Sequence, residues 1–274
     1  NLLASFGAIR LVVVTVSFSS ESAKVFLSTK GWWVFAIGLL IACFLSRPKK
    51  VFRCQLKGRD VTIEIRIADA FEVSGDLVVP INTTFDTDLD GRIPKAHSIQ
   101  GEFIRRYYDA EVSHLDLDID EALGKENYCY KEPPEKTRGK KRRYPIGTVI
   151  QLERKERLFY LVANTHINNN GVASTSIENL RESLAKLWYY ISEKGSKGDI
   201  VIPLLGTGKA RLSDKREDIF LEIIRSFIAS CSSGTYCDKL IVAIYPPDVT
   251  KHKIDLNDLR KFLEYSCKYA RFES

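Results

Sequence analysis

Residues 199–211 read Asp-Ile-Val-Ile-Pro-Leu-Leu-Gly-Thr-Gly-Lys-Ala-Arg. The apolar run Ile200 to Leu205 has the length and unbroken hydrophobicity of a strand buried on both faces, as in parallel sheets. It runs into Gly206-Thr207-Gly208-Lys209. Glycine has no Cβ to cover the backbone, so such a turn presents bare N–H groups, and the lysine adds charge beside them. At the carboxyl end of a strand, where open α/β sheets bind ligands, these groups suit a phosphate. The plain alternative is a strand-to-helix turn that happens to contain glycine. Two familiar phosphate loops are excluded. A Walker A loop requires Gly where Pro203 stands and Ser or Thr where Ala210 stands, and a dinucleotide fingerprint requires Gly at Arg211.

Outward from this loop, strands and helices alternate. Asp76 to Ile81 (DLVVPI) reads as a buried strand ending at Asn82-Thr83-Thr84, and Val61 to Ala68 as a half-buried strand turning at Asp69. Thr148–Glu153 and Leu158–Asn164 read as neighbouring strands across the charged turn 154–157. Leu240–Tyr245 reads as a strand closed by Pro246-Pro247. Helices are expected over Ser98–Tyr108, over Thr175–Glu193 with a Thr175/Glu178 capping box, after Asp214 as cap, and from Asp255 to about Tyr269. The pattern predicts an α/β fold, a three-layer α/β/α sandwich with a mixed sheet over 61–272. An irregular charged insertion is expected at about 109–144 and a linker at 48–60.

The first fifty residues differ in kind. Leu2 to Phe18 is apolar apart from Arg10 and a few small polar residues, and Gly31 to Leu45 carries no charge. Each is at the short limit for crossing a hydrocarbon core of ~30 Å. With a polar connector at 19–30 they read as a transmembrane helical hairpin (about 2–18 and 31–46), with Trp32 and Trp33 at an interface. The basic cluster Arg47–Arg53 then places the C-terminal domain in the cytoplasm, making the chain a multi-pass protein of the cell (inner) membrane. A cleaved signal peptide, a buried hairpin in a soluble protein and a subunit interface are the competing readings, the first disfavoured because charge flanks the second span and the first lacks a clear basic n-region. Arg10 inside lipid points to a bundle interior or water; otherwise it snorkels.

The net charge is +6 and clustered: Lys136–Arg143 holds six basic residues, Asp109–Glu121 six acidic ones. No groove-reading motif accompanies the basic run, so nucleic acid is not expected as a partner. The six cysteines form no CxxC pair, which fits reduced thiols, and the four histidines lack metal-ligand spacing. No metal site or cofactor is expected, and no GxSxG or HExxH motif suggests a catalytic residue.

On Val78–Thr84, Asp69-Ala70, Ser98–Gly101, Leu161–Thr165 and Pro203–Gly208, the chain resembles the macro domain, a module that binds ADP-ribose. The resemblance covers roughly residues 61–270. It implies that Asp69 and Ala70 meet the adenine and that Asn82, Thr83 and Thr84 occupy the place of the family's Asn-Ala-Ala-Asn stretch. It also implies that Ser98, Ile99, Gln100 and Gly101 form a rewritten first phosphate loop, and that Leu205, Gly206, Thr207, Gly208, Lys209 and Ala210 form the second. Hydrolytic members carry a glycine run after the asparagine stretch; here Phe85-Asp86-Thr87-Asp88 comes next. That departure implies a reader and no enzyme, with an ADP-ribosyl hydrolase as the alternative. Together with the N-terminal hairpin, the Val-Pro-Ile-Asn-Thr-Thr-Phe-Asp and Ser-Ile-Gln-Gly stretches are similar to the macro-domain effectors of type II Thoeris antiphage systems. That similarity implies an ADP-ribose-type signal made by a TIR-domain enzyme as functional partner, and action on the lipid bilayer through a homo-oligomer in abortive infection.

The residues themselves suit such a ligand. Backbone N–H groups at Gly101, Gly206, Thr207 and Gly208 match phosphates, with Lys209 as a point charge. Asp69 either accepts from a purine amine or caps its own turn. Asn82, Thr83 and Thr84 either bond ribose hydroxyls or are satisfied by backbone at the strand end. A scaffold binding lipid through the basic run is the third functional class.

Overall fold

The structure, a computed structural model, describes residues 50–87, 98–126, 128–132, 139–167, 173–205 and 215–272. The chain divides into two units, Asn1–Lys49 and Lys50–Ser274, and the described residues belong to the second. The hairpin expected at 2–18 and 31–46 lies outside the described residues, as do the glycine loop 206–210 and Asp214.

Eight strands form one mixed sheet: β1 (Val51–Gln55), β2 (Thr62–Ile67), β3 (Asp76–Asn82), β4 (Val149–Arg154), β5 (Arg157–Ile167), β6 (Ala173–Ser174), β7 (Ile200–Pro203) and β8 (Lys239–Ile244). Their order is β1-β2-β8-β7-β3-β5-β4, with β6 on β5. The five central strands are parallel; β1, β4 and β6 pair antiparallel. The helices are α1 (Ile99–Tyr107), α2 (Val112–Glu126), α3 (Ile177–Lys194), α4 (Arg216–Ser230), α5 (Pro246–Lys251) and α6 (Leu256–Tyr269).

The central strands β3, β7 and β8 are largely apolar because both faces are covered. Along β3, Val78 joins the core beneath α3, α4 and α6, while Leu77, Val79 and Ile81 join the core beneath α1 and α2. On β5, Tyr160 and Val162 divide from Phe159, Leu161 and Ala163 in the same way. A side-chain period of two cut across two helical layers produces the expected three-layer sandwich.

Four local expectations are corrected. The stretch read as a linker contains β1, whose residues alternate between exposed and half-buried as an edge strand does. The acidic stretch is no irregular insertion: it is α2, which buries Leu115, Ile119 and Leu123 at i, i+4 and i+8 and turns its carboxylates outward. Helix α3 is capped by Ser176, which accepts from Asn179 N–H at 3.2 Å, because the Thr175 hydroxyl instead donates to the Asn164 carbonyl at 2.6 Å. Helix α4 has Lys215 at its N-cap and no side-chain cap. The expected Asp255 cap of α6 is present, accepting from the Asn257 and Asp258 amides.

Candidate functional site

The parallel strands β2, β8, β7, β3 and β5 all end on one edge of the sheet, and the candidate residues are distributed along it in that order. At the β2–β8 end, the Ala68 amide donates to the Ile244 carbonyl at 3.1 Å. Asp69 and Tyr245 each lie one residue beyond that bond. Asp69 caps a 3-10 turn, accepting from Phe71 N–H at 3.0 Å, and its other oxygen receives Arg106 Nη2 at 2.7 Å. Burial opposes the Arg106 charge, but the Asp69 and Glu102 carboxylates outweigh it and raise its pKa. Asp69 is therefore a turn cap, as one of its two readings had it, and each carboxylate oxygen retains a second lone pair for a ligand donor. Ala70 is buried beneath it. Tyr245 is 53% exposed and makes no side-chain cap bond to α5. Sequence reasoning treated it only as a strand end. An aromatic held at a strand terminus by two prolines after it was the available signal, and beside an acceptor it forms a platform for a flat base.

Next along the edge, β7 ends at Pro203, succeeded by Leu204 and Leu205. Leu205 is fully buried in the core beneath α3 and α4, so its side chain is a packing residue, and only its backbone could meet a ligand.

The loop after β3 separates three residues that looked alike in sequence. Asn82 Oδ1 accepts from Thr84 N–H at 3.0 Å and from Asp86 N–H at 3.2 Å, while its Nδ2 donates to the Asp86 carbonyl at 3.3 Å. The Thr84 hydroxyl lies between Asn82 Oδ1 at 2.8 Å and Asp86 Oδ2 at 2.5 Å. Asn82 and Thr84 thus close the loop on itself and are not positioned as ribose contacts. Thr83 donates its N–H to the Thr165 carbonyl and accepts Tyr144 N–H on its own carbonyl, both at 2.8 Å; its buried hydroxyl has no partner among the described residues. Phe85 holds the loop in a left-handed conformation, φ 51°, with its ring fully buried edge-on to Tyr144 at 5.6 Å. A bulky residue in that region persists only where packing over-determines it.

Ser98–Gly101 is no loop but the first turn of α1. Ser98 Oγ accepts Gly101 N–H at 3.0 Å, so the Gly101 amide is already satisfied and unavailable to a phosphate. Gln100 Nε2 donates to the Asp86 carbonyl at 2.7 Å, tying α1 to the β3 loop. Ile99 is a half-buried residue packed against the α1–α2 core. The basic segment reaches the same loop: Lys140 N–H donates to Asp86 Oδ1, and Lys140 Nζ lies 2.8 Å from Asp116 of α2.

Among the described residues no cluster of three or more His, Cys, Asp and Glu could hold a metal ion. A groove of about 500 Å³ lies at the far edge of the sheet, between α2, β4 and the end of α3. Most of its charges pair internally, Arg154 with Asp118 at 3.0 Å and Lys194 with Glu126 at 2.5 Å.

Residues 63–245 match the family described as Thoeris protein ThsA, Macro domain. Thoeris protein ThsA of Bacillus amyloliquefaciens (strain Y2) is 30% identical over 157 residues, 56% of this chain and 50% of that protein. The chain thus spans about half the length of the curated relative it matches. Among solved structures, a mutant of the Oceanobacillus iheyensis macrodomain superposes with a TM-score of 0.50 at 15% identity, covering 81% of this chain and 97% of the other. Another mutant of that macrodomain, with ADPR, has a TM-score of 0.50 at 13% identity and covers 80% and 97%. At these identities the likeness is one of fold.

Proposed function

Because the chain belongs to the ThsA macro-domain family, we propose that it is a membrane-anchored receptor of a Thoeris defence system. Its macro domain binds an ADP-ribose-type nucleotide signal, made by a TIR-domain enzyme, and binding drives self-association and membrane disruption. The observation that carries the binding reading is the order of groups along one sheet edge. A base platform with an acceptor, Tyr245 and Asp69, stands at β2–β8, β7 ends next at Pro203, and the Thr83 hydroxyl, unpaired among the described residues, stands at β3. With strands spaced ~4.8 Å apart, these groups extend over about 14 Å. Base, diphosphate and second ribose succeed one another in the same order in ADP-ribose.

A receptor is favoured over a hydrolase by Asn82. Its Oδ1 is taken up by the Thr84 and Asp86 amides and one Nδ2 hydrogen by the Asp86 carbonyl, so a single N–H is all it retains for a water or a ribose hydroxyl. The membrane part rests on residues 1–47, outside the described residues; among the described ones no helix is long and apolar enough to cross a membrane.

Calorimetry of the detergent-solubilised chain with ADP-ribose and its conjugates tests the binding reading, which fails if none binds. Steady turnover of any of them would replace the receptor by an enzyme. Unchanged mass in detergent and intact dye-loaded liposomes at saturating ligand would defeat the membrane part.

A further inference from the structure

Cys54 and Cys267 stand 213 residues apart in sequence and meet where edge strand β1 packs against helix α6. Cys267 Sγ lies 4.0 Å from the Cys54 carbonyl oxygen. The Lys57 amide donates to the Cys267 carbonyl at 3.1 Å, which fixes the two backbones beside each other. Cys267 is fully buried, and Cys54 is half-buried with its side chain against the same core. Both are free thiols. Burial pushes the Cys267 thiol up, and the charge of a Cys54 thiolate and a hydrogen bond between the two side chains push it further. The two sulfurs are therefore neighbours in space.

The other described thiols lack this arrangement. Cys231 and Cys237 are both buried, away from any solute oxidant, and Cys129 is exposed. Oxidation of a thiol follows its exposure and thiolate character, and a sensing cysteine needs a second thiol at hand to resolve it. Among the described residues, Cys54 joins contact with solvent to a buried thiol within reach.

We propose that Cys54 and Cys267 form a redox-modification site, in which a peroxide oxidises Cys54 and Cys267 then closes a disulfide that staples β1 to α6. The Cys54 thiolate attacks one peroxide oxygen, the O–O bond breaks, and the departing hydroxide takes up a proton as water. Cys54 is then a neutral sulfenic acid, so the neighbouring charge that opposed ionisation of Cys267 is gone. Sulfur of Cys267 attacks sulfur of Cys54, the S–O bond breaks, and the Cys267 proton leaves with that oxygen as a second water. Two thiols and one peroxide thus give one disulfide and two waters. The consequence is mechanical. Strand β1 ends the sheet, with β2 as its one strand neighbour. The disulfide ties it covalently to α6 and closes nearly the whole domain into one loop, which constrains the unfolded chain. Cys54 pairs with Ile63, and β2 runs on to Ile67 before it reaches the proposed ligand edge, roughly 13 Å away. The staple therefore changes stability without touching a nucleotide, and it stands or falls apart from the ADP-ribose reading.

The test uses the detergent-solubilised full chain, reduced, freed of reductant, treated with hydrogen peroxide and then blocked with N-ethylmaleimide. Peptide mapping without reductant should show one intramolecular crosslink, joining the Cys54 and Cys267 peptides. The melting temperature should rise by about 5 °C or more and return to its starting value with dithiothreitol. Cys267→Ser should stop the reaction at a Cys54 sulfenic acid that dimedone traps, whereas Cys54→Ser should leave Cys267 unmodified. Cys129→Ser should change nothing. The wild-type map needs no variant to fold. A Cys54 thiol that stays reduced, passes to sulfinic acid without a crosslink, or pairs with Cys43, Cys129 or a second chain would refute the site. So would a Cys54–Cys267 crosslink that leaves the melting temperature unchanged, since β1 would then not be stapled.

Discussion

Tyr245→Ala is the sharpest probe of where the base sits. The ring is 53% exposed and contributes no cap bond to α5, so its removal should shift the melting temperature by no more than a degree or two. Stacking of a base on an aromatic ring is worth about 1–3 kcal/mol. At 1.4 kcal/mol per tenfold, that predicts a roughly 5- to 150-fold rise in the dissociation constant for ADP-ribose. Tyr245→Phe keeps the ring and should stay within about threefold. Calorimetry and thermal melts on the same preparations give both numbers. An affinity unchanged within twofold in the alanine variant, with an unchanged melt, would show that the base lies elsewhere and would break the order of groups assigned along the edge.

Arg157 donates to the carbonyls of Ala70, Phe71, Val73 and Gly75 at 2.7–3.4 Å and so holds the connection carrying Asp69 and Ala70. Arg157→Ala should cost about 2–5 kcal/mol in denaturant unfolding and weaken ADP-ribose binding as well, since each orphaned buried carbonyl costs ~1 kcal/mol or more. Phe85→Ala deletes a fully buried ring and should cost about 3–5 kcal/mol, less whatever strain its left-handed backbone releases; a loss below 1 kcal/mol would mean that the loop is not held by this ring. Burial opposes the Glu64 charge, but hydrogen bonds from Arg66 and Arg53 prevail and hold its pKa below the ordinary 4.5. Its stabilisation is thus complete above that pH and lost as pH falls towards its folded value. His166, also depressed, resists a proton that the unfolded chain accepts, so stability should already decline as pH drops through 6.5. Melting temperatures from pH 8 down to about 3 should fall in two stages, with His166→Gln flattening the upper and Glu64→Gln the lower.

What could be read from sequence tracks burial. Strands covered on both faces, such as Leu77–Ile81 and Leu240–Ile244, announced themselves as unbroken apolar runs. The edge strand Val51–Gln55 did not, because half its side chains meet water and mixed polarity resembles a linker. Helix α2 was hidden by its acidic residues, although Leu115, Ile119 and Leu123 stood four apart. The α3 cap was misplaced by one because Thr175 and Ser176 are chemically alike, and only the tertiary bond from Thr175 to Asn164 decides between them. The site divided similarly. Its place at the carboxyl ends of the strands was legible, but which of Asn82, Thr83 and Thr84 faces a ligand was not. That depends on where Asp86 folds back, a matter of a few loop dihedrals that no periodicity encodes. Arg143 stood in sequence as one of six clustered basic residues, and only its pairing with Lys131 brings it to the strand ends.

The first described residue of the chain lies near the proposed base site. The polypeptide leaving residue 49 joins the sheet at Lys50, whose carbonyl accepts the Ile67 amide at 2.8 Å, two residues before Asp69. A nucleotide seated on Asp69 and Tyr245 would therefore bear on the end of the sheet to which Lys50 is bonded. Contact alone would not make this a switch. A ligand shifts an equilibrium only by its differential affinity for the two states. If binding drives self-association, the assembled form must hold the nucleotide more tightly than the single chain does, and by reciprocity assembly must raise ligand affinity by the same factor. Two apolar stretches per chain cannot line a pore, so disruption needs several copies, and Arg10 would find in such a bundle the polar interior that lipid denies it. The receptor reading thus commits the chain to affinity that rises with protein concentration, a dependence that a monomeric macro-domain hydrolase has no reason to show.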